Sequence, residues 1–302
     1  MKQLPILIIV LALACSSPKE EVASLKYPTT TKTDSVDTYF DTKVADPYRW
    51  LENDTAKATG DWVKSQNDVT FAYLNAIPFR DQIKKRLEEV YNYERVTAPF
   101  KEGDYYYFYK NNGLQNQSVL FRKKGLDGEP EVFLDPNGFS KDGTSALGGV
   151  SFTKDGTMAA YLIQEGGSDW RKAVVIKTVD KAMIGDTLRD LKFTGISWRG
   201  NEGFYYSSYD KPKGSELSAK TQYHKIYYHK LNSQQKSDVM IFGGEKTPRR
   251  YAGAGLTEDE RFLIISAYKP PSAAKLMSSK KMPHMVDETG AIILSAWTES
   301  FL

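Results

Sequence analysis

Apolar positions along the chain change period near residue 95, and that change divides its architecture. Between 53 and 93 the apolar residues recur at helical spacing. Trp62, Gln66 and Val69/Thr70 fall near one face, with Asn53 and Asp54 ahead of them as cap candidates. Pro78 interrupts, and Phe79, Ile83, Leu87 and Val90 then outline a second amphipathic helix. Just upstream, VADPYRWLEN (44–53) offers Asp46 as an N-cap with Pro47 at the first helical position. Tyr48, Arg49 and Trp50 then need something to cover them.

Beyond residue 95 the period shortens to that of strands. DYYYFYKNNG reads as a strand and turn, and SVLFRKKGLDGEPEVFLD as a hairpin. Further strands are predicted in SFTKDGTMAAYLIQE, WRKAVVIKTVD, ISWRGNEGFYYSSYD, HKIYYHKLN and TEDERFLIISA. Three segments share one phrase: VSFTKDGTMAAYL, ISWRGNEGFYYSS and AGLTEDERFLIIS. Each places an apolar strand after a short polar turn, and the phrase returns about every 45–60 residues, the spacing of four-stranded propeller blades. One blade cannot cover both of its faces, so neighbours must stack. A β-sandwich is the alternative, but it would not demand a repeated phrase. The expected fold is mainly β with N-terminal helices: a partial, open β-propeller of about three blades, with a fourth begun near Tyr251. A closed propeller needs at least four, so the last sheet should leave a face uncovered and an edge unpaired.

Composition adds little to this picture. The 302 residues are 40% hydrophobic and 13% aromatic, with 19 Tyr, which suits β structure. A net charge of +3 without a long basic run argues against nucleic acid as a partner. The first residues, MKQLPILIIVLALAC, join one Lys to an apolar run too short to span a bilayer, as in a secretory signal. Cys15, the only cysteine, sits where a bacterial lipoprotein signal places its acylated residue, although Ala12 departs from the usual Leu. An ordinary signal with an incidental cysteine is the alternative. The expected organisation is a signal at 1–15, a tether at 16–26, a helical segment at 27–93, the partial propeller at 94–267 and a divergent, poorly ordered tail at 268–302. On this reading the protein is exported and periplasmic or membrane-anchored, meeting a membrane only through lipid on Cys15. A lone cysteine allows no intrachain disulfide.

Several phrases resemble the prolyl oligopeptidases, serine peptidases that cleave short peptides after proline. These are DPYRWLE (46–52) with WVKSQN (62–67), NNGLQNQSVLF (111–121), FLDPN (133–137), SKDGTSAL (140–147), GSDW (167–170) and IYYHKL (226–231). They fall in order between Tyr27 and Ala267. The resemblance implies N-terminal helices wrapped onto an α/β-hydrolase domain, with a seven-bladed propeller over the active site. Tyr48 and Trp50 would then pack between the leading segment and that domain, or cover the local helices alone. Short proline-containing peptides are the implied partners, and no cofactor or metal is implied.

The chemistry the resemblance implies has no residues here. A serine nucleophile requires the strained G-x-S-x-G elbow. GISWRG, GFSKDG, GTSALGG and GGSDW all fail that pattern. His224 and His229 share one strand five residues apart, which points them to opposite faces, solvent-facing or against Tyr; His284 lies in the tail. SKDG, TKDG and GLDG read as hairpin turns, and GSDW as a loop ordered by its own Asp and Trp. No catalytic, cofactor or metal residue is assigned. The tail after Ala267 lacks the blade phrase and offers only AIIL (291–294) as a strand. A reading-frame change or truncation that removed the remaining blades and hydrolase domain is the expectation, and translation of the other two frames tests it. The chain is then the substrate-gating part of a post-proline peptidase, inactive and aggregation-prone alone. A stand-alone lipid-anchored peptide-binding module is the alternative.

Overall fold

The computed structural model describes residues 25–185, 187–212, 222–268 and 293–296. Cys15, His284, the signal and nearly all of the tether and tail lie outside them. The chain divides into two compact units between Arg80 and Asp81.

In the first unit, β1 (Val36–Tyr39) and β2 (Thr42–Ala45) pair as an antiparallel hairpin. Its two-residue turn, Phe40 and Asp41, has positive φ at both positions, the twist that tight hairpins favour. Asp46 does not cap a long helix as expected. Its carboxylate accepts the Tyr48 N–H at 3.3 Å and opens a single 3₁₀ turn, Arg49–Glu52. Helix α1 (Lys57–Asn75) begins after Ala56 without a side-chain cap, and Asn53 instead accepts the Thr55 hydroxyl at 2.9 Å. The predicted face of α1 does meet the leading segment. Trp62 Nε1 donates to Thr30 Oγ1 at 2.9 Å and Gln66 Nε2 to the Pro28 carbonyl at 3.2 Å. Trp50 Nε1 donates to the Thr31 carbonyl at 2.9 Å, so part of the cover for the 48–50 aromatics is local.

The second unit carries α2 (Arg80–Tyr91) and four antiparallel sheets. Ile83, Leu87 and Val90 keep helical spacing but stay about half exposed, outside this unit's core. The first sheet holds β3 (Arg95–Val96), β4 (Phe100–Glu102), β5 (Tyr105–Asn111), β6 (Val119–Lys124) and β7 (Glu131–Leu134). β8 (Ala146–Phe152), β9 (Met158–Gln164), β10 (Trp170–Lys177) and β11 (Leu188–Lys192) form the second. The third comprises β12 (Ser197–Arg199), β13 (Gly203–Ser208), β14 (Lys225–Lys230) and β15 (Val239–Gly243). β16 (Tyr251–Leu256), β17 (Phe262–Tyr268) and β18 (Ile293–Ala296) form the fourth. Within the second, third and fourth sheets each strand pairs with its sequence neighbours.

Strand period explains the stacking. Along β9, Ala159 enters the core shared with Tyr107, Leu120 and Phe133 of the first sheet, while Ala160 enters the next core. Val174 and Ile176 of β10 likewise face back, and Ala173 and Val175 face forward onto Trp198, Phe204 and Tyr206. Tyr205 then turns towards Ala252, Leu263 and Ile265 of the fourth sheet. Both faces of the middle sheets are buried, which is why AVVI and FYY read as unbroken apolar runs.

The repeated phrase corresponds to one turn built twice in the same way. Thr153 and Thr257 each accept, through Oγ1, the N–H five residues on, at 3.0 and 3.1 Å. Each also donates that hydroxyl to the Asp two residues ahead, at 2.7 and 2.6 Å. The tips of successive sheets are linked in turn. Gly103 and Gly156 lie back to back, and a Cβ on Gly156 would meet Gly103 at 2.7 Å. Asn201 Nδ2 donates to Asp155 Oδ2 at 2.7 Å, and the Gly200 N–H to Glu260 Oε2 at 2.7 Å.

Candidate functional site

At the end of the sheets opposite these tips, loop chemistry is richer. Three stretches quoted above for their resemblance, 111–121, 133–137 and 140–147, converge on a cavity of about 560 Å³ lined by Asn116, Asn137, Ser140, Asp142 and Ser145. Asn137 is clamped from both sides, accepting the Gln117 N–H at 2.9 Å and donating to the Gln117 carbonyl at 3.1 Å. Asn116 Nδ2 donates to the Gly143 carbonyl at 2.8 Å. SKDG therefore lies in the connection from β7 to β8 and is not a hairpin turn, whereas TKDG and GLDG do join paired strands. Asp142 is held below the usual carboxylate range by hydrogen bonds from the Thr144 N–H and hydroxyl. These groups satisfy one another and can offer a ligand hydrogen bonds, but among the described residues no imidazole lines the cavity beside the Ser140 and Ser145 hydroxyls.

An aromatic cluster lies at the next two junctions on the same side. Phe193, just past β11, is 40% exposed and sits in left-handed backbone at φ 50°. A non-glycine side chain there is strained, and strain of this kind collects at functional sites. Its ring packs edge-on against Tyr251 at 5.3 Å and Tyr209 at 6.2 Å. Lys192 Nζ lies 4.8 Å from the Trp170 ring and 5.3 Å from that of Phe193. The preceding GSDW turn is ordered by Ser168, whose hydroxyl accepts the Trp170 N–H at 3.1 Å, and not by Asp169, which is exposed.

Of the two alternatives for His224, packing against Tyr holds and solvent exposure does not: it is buried in this cluster. It stacks on Tyr209 at 4.4 Å. With the Ala252 N–H donating to Nδ1 at 2.9 Å, Nε2 carries the proton and donates to the Lys192 carbonyl at 3.0 Å. One neutral imidazole thus ties the second, third and fourth sheets, with both nitrogens occupied. Burial pushes its pKa down, partly offset by the Lys192 carbonyl. His229 is also buried: Nδ1 donates to Asp238 Oδ1 at 2.8 Å, and the Tyr206 hydroxyl donates to Oδ2 at 2.9 Å. Among the described residues no serine hydroxyl bonds either imidazole, the pairing that acyl transfer requires. Among the described residues no group of three His, Cys, Asp or Glu is placed to hold a metal.

Comparison with known proteins agrees with the stacked antiparallel sheets. The family model described as "Prolyl oligopeptidase, N-terminal beta-propeller domain" matches residues 27–290. The chain belongs to the prolyl oligopeptidase family. It is 57% identical over 244 residues to the prolyl endopeptidase of Elizabethkingia meningoseptica, covering 80% of this chain and 34% of that protein. Identity to the Elizabethkingia miricola prolyl endopeptidase is 54% over 267 residues, covering 88% and 38%. Prolyl oligopeptidase B from Galerina marginata, solved bound to a 35mer hydrolysis and macrocyclization substrate, matches at TM-score 0.68 and 28% identity, over 81% of this chain and 37% of that one. This prolyl oligopeptidase-family chain therefore spans little more than a third of the relatives it matches. It corresponds to their N-terminal propeller domain, and its 302 residues contain no G-x-S-x-G.

Sequence reasoning missed Phe193, Lys192 and Asp238. The first two stand in LRDLKFTG, where alternating charge hides a strand, and Asp238 meets its partners only after β13, β14 and β15 pair.

Proposed function

We propose that this chain is the substrate-gating propeller part of a serine endopeptidase that cleaves short peptides after proline, and that these 302 residues alone do not turn over substrate. The four sheets are read as three blades and the beginning of a fourth in an open, seven-bladed-type propeller. The carrying observation is the exposed Phe193, held in strained backbone against Tyr209 and Tyr251, beside a Lys192 that also meets Trp170, on the loop side. That apolar, aromatic surface suits prolyl and other apolar side chains. Lipid on Cys15 would tether the chain to a membrane after export, a reading supported only by the sequence LALAC.

The test is a chromogenic Gly-Pro substrate incubated with the purified chain, beside direct binding of an unlabelled proline-containing peptide. Binding without turnover is expected. Post-proline cleavage abolished by a serine-reactive phosphonate would overturn the assignment. Mass spectrometry of membrane-extracted protein, with and without Cys15→Ser, tests the anchor.

A further inference from the structure

Arg171 lacks the carboxylate partner that two other buried or half-buried arginines have. Arg122 meets Glu131 at 2.6 Å and Arg49 meets Asp46 at 2.8 Å. Arg171, near the start of β10, has no carboxylate in ion-pair range among the described residues. On the neighbouring strands and turns Glu165 is engaged by Lys172 at 2.6 Å and Asp190 by Lys211 at 3.0 Å, while the exposed Asp169 is out of range. The Arg171 side chain instead crosses towards β8, where Gly148 leaves room. A Cβ on Gly148 would lie 3.4 Å from Arg171 Nε and 3.5 Å from Cδ. Only Nη1 is bonded, to the carbonyls of Gly148 at 3.4 Å and Thr194 at 3.3 Å, both long. Nε is buried without a partner.

A guanidinium has five N–H donors, and desolvating its charge without an anion is unfavourable. The Thr194 carbonyl that holds it directly follows Phe193, so the cation lies against the turn that carries the exposed ring. Lys192 adds a second positive charge beside that ring. A carboxylate suits the unused Nη edge, since a planar fork accepts its two oxygens together.

We propose that Arg171 is a specificity-determining residue that receives a peptide carboxylate while an apolar residue of the same peptide rests on Phe193. This rests on the peptide-binding reading above.

The experiment measures binding to the full 302-residue chain by calorimetry with three peptides: Gly-Pro-Phe with a free carboxylate, its C-terminal amide, and Glu-Pro-Phe-amide. A carboxylate, terminal or from Glu, is expected to tighten binding roughly tenfold over the Gly-Pro-Phe amide, as a charge-assisted bidentate pair does. Whichever arm gains identifies the source. In Arg171→Gln the three affinities should converge on that of the amide, and Arg171→Lys, which keeps the charge without the fork, should retain only part of the preference. A merely structural role would lower the melting temperature and leave the ratio unchanged, so the Lys variant decides the matter if the Gln variant fails to fold. Equal wild-type affinities, or a preference that survives Arg171→Gln, overturn this proposal while peptide binding stands. Absence of binding by any peptide overturns both.

Discussion

Removing the Asp155 carboxylate tests whether the linked tips hold neighbouring sheets together. Asp155 accepts the Thr153 hydroxyl at 2.7 Å, the Thr157 N–H at 3.0 Å and hydroxyl at 2.7 Å, and Asn201 Nδ2 at 2.7 Å. Bonds to a charged group are worth about 1.5–3 kcal/mol when buried, and less at an exposed tip. At about 0.5–1 kcal/mol each, the four total about 2–4 kcal/mol. Asp259 supplies the internal control. It occupies the same turn in the fourth sheet and accepts the Thr257 hydroxyl at 2.6 Å and the Arg261 N–H at 3.2 Å, without a bond to another sheet's tip. Asp259→Ala should therefore cost about half as much. The cross-sheet part is isolated by a cycle of Asp155→Ala, Asn201→Ala and the double variant, for which a coupling of about 1 kcal/mol is expected.

Urea unfolding followed by tryptophan fluorescence reads this directly, because Trp198 Nε1 donates to the Ser151 carbonyl at 3.0 Å across the same junction. The pH dependence is a second reading. Burial acts to raise the Asp155 carboxyl, but the bonds from Thr157, Asn201 and Thr153 outweigh it and hold the group well below 3.8. A depressed carboxyl stabilises fully above its unfolded value, and this contribution fades as pH falls below about 4 towards the folded value. Asp155→Ala should lack that slope. A coupling under about 0.3 kcal/mol, together with equal losses for Asp155→Ala and Asp259→Ala, would refute the idea that the tips couple the sheets.

Three further outcomes are expected. Asp238→Ala leaves the His229 Nδ1–H and the Tyr206 hydroxyl buried without their acceptor and should cost about 3–5 kcal/mol, read as a lowered urea midpoint; Asp238→Asn should cost less. His224, neutral because burial lowers its pKa below 6.5, stabilises fully above that value and progressively less as pH falls through it; His224→Gln should flatten the stability slope below about pH 6.5 in melts across that range. Phe193→Gly relieves a left-handed backbone and should leave thermal stability unchanged or slightly raised, while weakening peptide binding at least several-fold by calorimetry.

How much of this was legible beforehand follows from the range of each interaction. The inner strands were readable because their signals are local and doubled: AVVI of β10 is apolar on both faces, and T-x-D in the tip turns states its own hydrogen bonds. β11 and β15 were not. In Leu188–Lys192 the exposed Arg189 and Asp190 together separate the two buried leucines, breaking strand alternation, and Val239 and Met240 are about half exposed, so neither segment carries a run that stands out from loop. β1 and β2 escaped for the same reason, with no core to pattern them. The reading of His224 was right about its packing against Tyr and wrong only in leaving solvent open as the alternative. Strand alternation assigns a side chain to a face but not a depth, and the depth here is set by the Lys192 carbonyl and the Ala252 N–H, 32 and 28 residues away. Phe193 is harder still, since a phenylalanine at positive φ contradicts its own propensity and is held there by neighbours from two other strand ends. The legible part of this chain is the repeat that stacks its sheets. The illegible part is the loop side, where each junction departs from the repeat, and the exposed ring and the unpaired guanidinium lie there together.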